Sequence, residues 1–208
     1  VASFALQRWE NWRTFGGWLR SAGAAIALFA CAAAGGLPGL GLQWIDAPLP
    51  ALALLLAGIA ANLFLAWSGG VQVMATLHVL LSLVPLAIVP PTTTALAIAS
   101  AVSLFGVVLA GRGRWDRHLA FVLGAYLLFN AVWFARMGGA LDADVARYLA
   151  AGCAMLVFGA AAFVHYRHND TPSAGPTPLQ VGVHLGAWLL LALALFVYAP
   201  SSIVRGAL

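Results

Sequence analysis

Continuous apolar runs, each about as long as a bilayer is thick, constrain this chain more than any other feature. "ALALLLAGIAANLFLAW" at 51–67 is one of them. A helix needs about 20 mostly apolar residues to cross the hydrocarbon core. Seven segments read this way: 17–37, 50–67, 70–90, 93–111, 115–137, 145–166 and 179–200. Helix-breaking stretches divide them: Pro38 to Pro50, Ser68-Gly69-Gly70, Pro90-Pro91, Gly111 to Arg114, Gly138-Gly139 and the Pro172 to Pro178 loop.

Composition closes the main alternatives. The 208 residues are 63% hydrophobic and 8% charged, with a mean hydropathy of +0.96. A soluble domain is about 45–50% apolar and about 25% charged. A chain of this length could not bury so much apolar surface in water. A β-barrel would alternate apolar and polar residues, and these runs do not. The expected fold is therefore all-α, a polytopic transmembrane helical bundle of about seven spans.

Three regions are expected. Residues 1–16 form an amphipathic helix in the headgroup layer, with Val1, Ala5, Trp9 and Trp12 opposite Gln7, Arg8, Glu10, Asn11 and Thr14. Residues 17–200 form the bundle, and 201–208 a short C-terminal tail. The first span is rich in small residues, so Ala24, Ala25 and Gly35-Gly36 should face protein rather than lipid.

Charge sets the orientation. All ten basic residues are arginine. With the N-terminus inside, the inner segments carry Arg8, Arg13, Arg20, Arg112, Arg114, Arg117 and Arg167. The outer ones carry Arg136, Arg147 and Arg205. This asymmetry favours N-terminus in and C-terminus out. It fits a multi-pass protein of a cell membrane, bacterial inner membrane being the expected location. The pI near 9.7 comes from few charges, which suits anionic lipid headgroups and not nucleic acid.

Several chemistries drop out. Without lysine there is no anchor for a retinal or pyridoxal Schiff base. Cys31 and Cys153 are far apart in apolar runs, so they read as small buried hydrophobes. No carboxylate lies mid-span, which demotes proton relays and ion-coupled transport. There is no P-loop or dinucleotide fingerprint, and no serine or cysteine beside a histidine in a recognisable motif. Asn62, Gln72, Tyr126 and Asn130 are expected to hydrogen-bond between helices.

The five histidines carry what chemistry remains, all on the inner half under this threading. His118, His165 and His168 suit interfacial helix ends. A metal reading takes His165, His168, Asp170 and His184 as ligands, zinc being the candidate ion. A redox reading takes His78 and His184 as axial ligands of a b-type haem, or as a quinone site, with Arg117 near the propionates. The expected role is a non-catalytic subunit or assembly partner of a larger membrane complex, with protein partners inside the bilayer. The alternative is a redox subunit or membrane enzyme binding haem, quinone or metal at the histidine layer. A small channel or permease comes third.

Overall fold

A computed structural model of the chain describes residues 12–37, 41–137, 144–168 and 177–198. Every regular element among these residues is helical. There are seven helices: α1 (Arg13–Ala34), α2 (Pro48–Gly69), α3 (Gln72–Ile88), α4 (Thr93–Gly113), α5 (Asp116–Met137), α6 (Asp144–His168) and α7 (Pro178–Ala192). α7 runs on into a π-helical turn, Leu193–Tyr198. Six helices are long and apolar enough to cross a membrane; α3, with 17 residues, is the shorter one. α1 is helical from Arg13, upstream of the start at 17 that the apolar run suggests. Residues 1–11, the 201–208 tail and Asp142, which the sequence suggests as the N-cap of the sixth span, lie outside the described residues.

Local chemistry fixes the helix ends. Thr92 caps α4, its Oγ1 accepting from Ala95 N at 3.0 Å. At α7, Thr177 and Gln180 form a reciprocal capping box, and Pro178 occupies the first turn, where its missing N–H costs nothing. Gly70 stops α2 in the left-handed region, φ 63°. The α4–α5 turn is tighter still. A Cβ on Gly113 would overlap the Trp115 indole, so only glycine lets that ring fold back over the end of α4.

The chain divides into two compact units, Val1–Val89 and Pro90–Leu208. In the first, α1, α2 and α3 each pack on the other two. Small residues bring α1 and α2 close. A Cβ on Gly35 would stand 2.9 Å from Ala51 Cβ, and one on Gly58 would stand 3.2 Å from both Cys31 side-chain atoms. In the second unit α4 packs on α5 and α6, and α7 closes the ring against the same two. α4 and α6 run the same way, so both end at the arginine-rich end of this unit.

Candidate functional site

The most connected polar cluster lies inside the first unit, around His78. Asn62 Nδ2 donates to the His78 carbonyl at 2.7 Å and to Ser82 Oγ at 2.9 Å. Ser82 Oγ also donates to that carbonyl, at 2.9 Å. A carbonyl only accepts, so the amide nitrogen of Asn62 must face it, and Oδ1 must face the ring. His78 Nδ1 lies 2.6 Å from Oδ1 and therefore carries the proton. In the neutral imidazole Nε2 is then an acceptor, and Ser21 Oγ stands 3.1 Å from it. Ser21 also reaches Met74 Sδ at 3.4 Å.

Two consequences follow. Three helices are tied at one level, because Ser21, Asn62 and His78 sit on α1, α2 and α3. The order serine, imidazole, amide is also that of a nucleophile, its base and the group that orients the base. Both ring nitrogens of His78 are engaged, so an iron atom would have to displace Ser21 or Asn62. Ser21 is buried at 6% exposure, and an acyl substrate would have to part α1 from α3 to reach it.

A second buried network joins α4, α5 and the π-turn. Ser100 Oγ donates to the Leu96 carbonyl at 2.7 Å, so Tyr126 OH, 2.7 Å away, must donate to Ser100. Asn130 Nδ2 donates to the Tyr126 carbonyl at 2.9 Å, and Tyr198 OH donates to Asn130 Oδ1 at 3.0 Å. Trp133 Nε1 donates to the Thr92 carbonyl at 2.9 Å, with the Tyr198 ring 6.3 Å from its own. Each of these polar atoms meets another in apolar surroundings, the ordinary way to satisfy a buried polar group.

The other four histidines gather at the arginine-rich end of the second unit. His118 Nε2 bonds the Gly106 carbonyl at 3.0 Å across the α4–α5 turn. His168 Nδ1 lies 3.1 Å from Asp116 Oδ1, tying the last turn of α6 to the first turn of α5. An acid in a first turn and a histidine in a last turn each complement their helix dipole. His165 and His184 approach one another, ring centroids 6.2 Å apart, and Tyr166 OH stands 3.3 Å from His184 Nδ1. The crevice beside them, walled by Phe158 and Trp188, holds about 50 Å³, room enough for water.

Of the four candidate metal ligands, then, His165 and His184 stand together, His168 pairs with Asp116, and Asp170 lies outside the described residues. No group of three or more His, Cys, Asp or Glu side chains among the described residues could hold a metal ion. Arg117 is exposed on the first turn of α5, and His78 belongs to the other unit. Ser21 is the residue that reading the sequence missed. It lies 57 positions from His78, in a run of small residues that signals packing and not chemistry. No protein-family model, curated protein or solved structure matches the chain.

Proposed function

We propose that this integral membrane protein is a non-catalytic subunit or assembly partner of a membrane complex, and that α1 is the helix through which it assembles. α3 completes seven crossings as a short span, since 17 residues stands at the low end of the range of about 17–25 that suffices. The arginine-rich helix ends face the cytoplasm, as in a bacterial inner-membrane protein.

The observation that carries the assembly reading is the outward face of α1. Ala22, Gly23, Ala27 and Ala30 are exposed there around the bulky Ile26, and a Cβ on Gly23 would meet nothing within 4 Å. Bulky residues such as Phe64, Phe121, Leu128 and Phe196 are exposed on other helices, although α2 also exposes Ala53, Ala57, Ala60 and Ala61. Bulky side chains suit lipid, whereas small ones let a second helix approach closely. Gly23→Leu and Ala27→Leu test this on native gels of membranes solubilised in mild detergent. The wild-type chain should migrate within a larger assembly, and either change should shift it to a smaller species. Wild-type migration as a bare monomer would refute the reading.

The Ser21–His78–Asn62 geometry favours a second reading, a membrane hydrolase. Ser21 would attack an ester carbonyl while its proton passes to His78 Nε2. The alcohol would leave with that proton as the acyl-serine forms, and water would then cleave the acyl-serine to free the acid. A fluorophosphonate probe separates the two readings. Covalent labelling lost in Ser21→Ala and in His78→Ala would establish the hydrolase, and an unlabelled folded protein leaves the cluster as a tie between helices.

A further inference from the structure

We infer that the cleft between the last turns of α4 and α6 binds the phosphate-bearing headgroup of an anionic phospholipid. The cleft is open, encloses about 720 Å³ and is lined by Arg112, Arg114, Arg167 and His168 on its polar side. Ligand sites commonly span about 300–1,000 Å³. Three guanidiniums around one concavity suit the planar, multiply bonded recognition of phosphate oxygens. Both helices also point their negative dipole ends here, and the arginine charges more than offset those partial charges. Among the described residues, Asp116 at this end is engaged with His168.

Two further observations select a lipid over a soluble phosphate. Val108 and Phe163 also line the cleft, 54% and 65% exposed. They lie about one helical turn further from the C-terminal ends of their helices than Arg112 and Arg167, roughly 6 Å deeper at 1.5 Å per residue. Charge near the helix ends and apolar surface one turn deeper match an amphiphile, headgroup outward and acyl chain inward. In addition, Arg114 holds a left-handed backbone, φ 52°, the one non-glycine residue among those described with a positive φ. Glycine would sit there without strain, so an arginine placed there spends backbone stability on its side chain. The inference needs the chain to sit in a bilayer but does not depend on the assembly role of α1.

The test is native mass spectrometry of the full-length protein offered equimolar phosphatidylglycerol and phosphatidylcholine with identical chains. Phosphatidylglycerol should be retained at least about tenfold over phosphatidylcholine, since each basic residue near the headgroups adds appreciable attraction. Arg112→Gln with Arg167→Gln should abolish the preference. Arg114→Gly, which relaxes the backbone, should fold and still lower the preference several-fold. Glycerol 3-phosphate in large excess should leave the lipid bound. Equal retention of the two lipids would overturn the inference, as would a preference indifferent to Arg114→Gly. Displacement by glycerol 3-phosphate would overturn it too, and would mark a soluble-phosphate site.

Discussion

Asn62 and His78 hold one another in a single arrangement, because the amide can satisfy the His78 carbonyl and ring together only in one orientation. Removing the amide breaks three hydrogen bonds, whereas removing the Ser21 hydroxyl breaks its contact with His78 and a weak one with Met74. Asn62→Leu should therefore destabilise the protein by about 1–2 kcal/mol, the upper range for polar contacts between membrane helices. Ser21→Ala should cost about 0.6 kcal/mol, the average for such contacts. Unfolding in mixed micelles measures both, and a larger cost for Ser21→Ala would contradict this ranking. Arg114 behaves in the opposite sense. Its left-handed backbone costs a non-glycine residue about 1–2 kcal/mol, so Arg114→Gly should raise stability in lipid-free detergent by about 1 kcal/mol. A loss of stability would show that the side chain, and not the backbone, governs that turn.

Helix ends were legible in the sequence wherever a breaker coincided with real capping chemistry. The run 93–111 corresponds to Thr93–Gly113, and 115–137 to Asp116–Met137, because Thr92 and the Gly113–Trp115 turn stop the backbone there. The start of α1 at Arg13 was less legible than the expected start at 17, since Gly16 and Gly17 inside a helix keep their hydrogen bonds and only weaken it. The lateral pairing of helices was not legible. Spans that are apolar on every side carry no periodic stripe to say which face turns inward. Hence Ser21 could not be matched to His78 before α1 and α3 were seen together. Close packing within α1 was more accessible, and Gly35 does meet Ala51. Gly35→Leu should cost about 1–3 kcal/mol, the usual penalty for overpacking, by driving α1 from α2. Unchanged stability would mean that the two helices separate freely at that end. At the start of α7, Thr177→Ala should cost about 1 kcal/mol through loss of the capping box. The same micelle assay reads it, and no change would mean that Pro178 alone starts the helix.

Across the whole molecule, the two units use the same device with different residues. Each is an apolar set of helices tied by a short polar network, around His78 in one and around Tyr126, Asn130 and Tyr198 in the other. That economy explains how a chain with so few polar side chains specifies particular helix pairings. The arginine distribution is the basis of the proposed orientation, N-terminus inside. Single cysteines at Ser173 and Gly139, in a chain lacking Cys31 and Cys153, should react with an impermeant thiol reagent in intact cells at 139 alone. Labelling at 173 alone would invert the topology. The central claim is that α1 offers its small-residue face to another membrane protein. A photo-crosslinking amino acid at position 23, compared in living cells with one at position 121, tests it most directly. The expected result is a discrete protein adduct from 23 and only lipid adducts from 121; lipid adducts alone from both positions would contradict the claim.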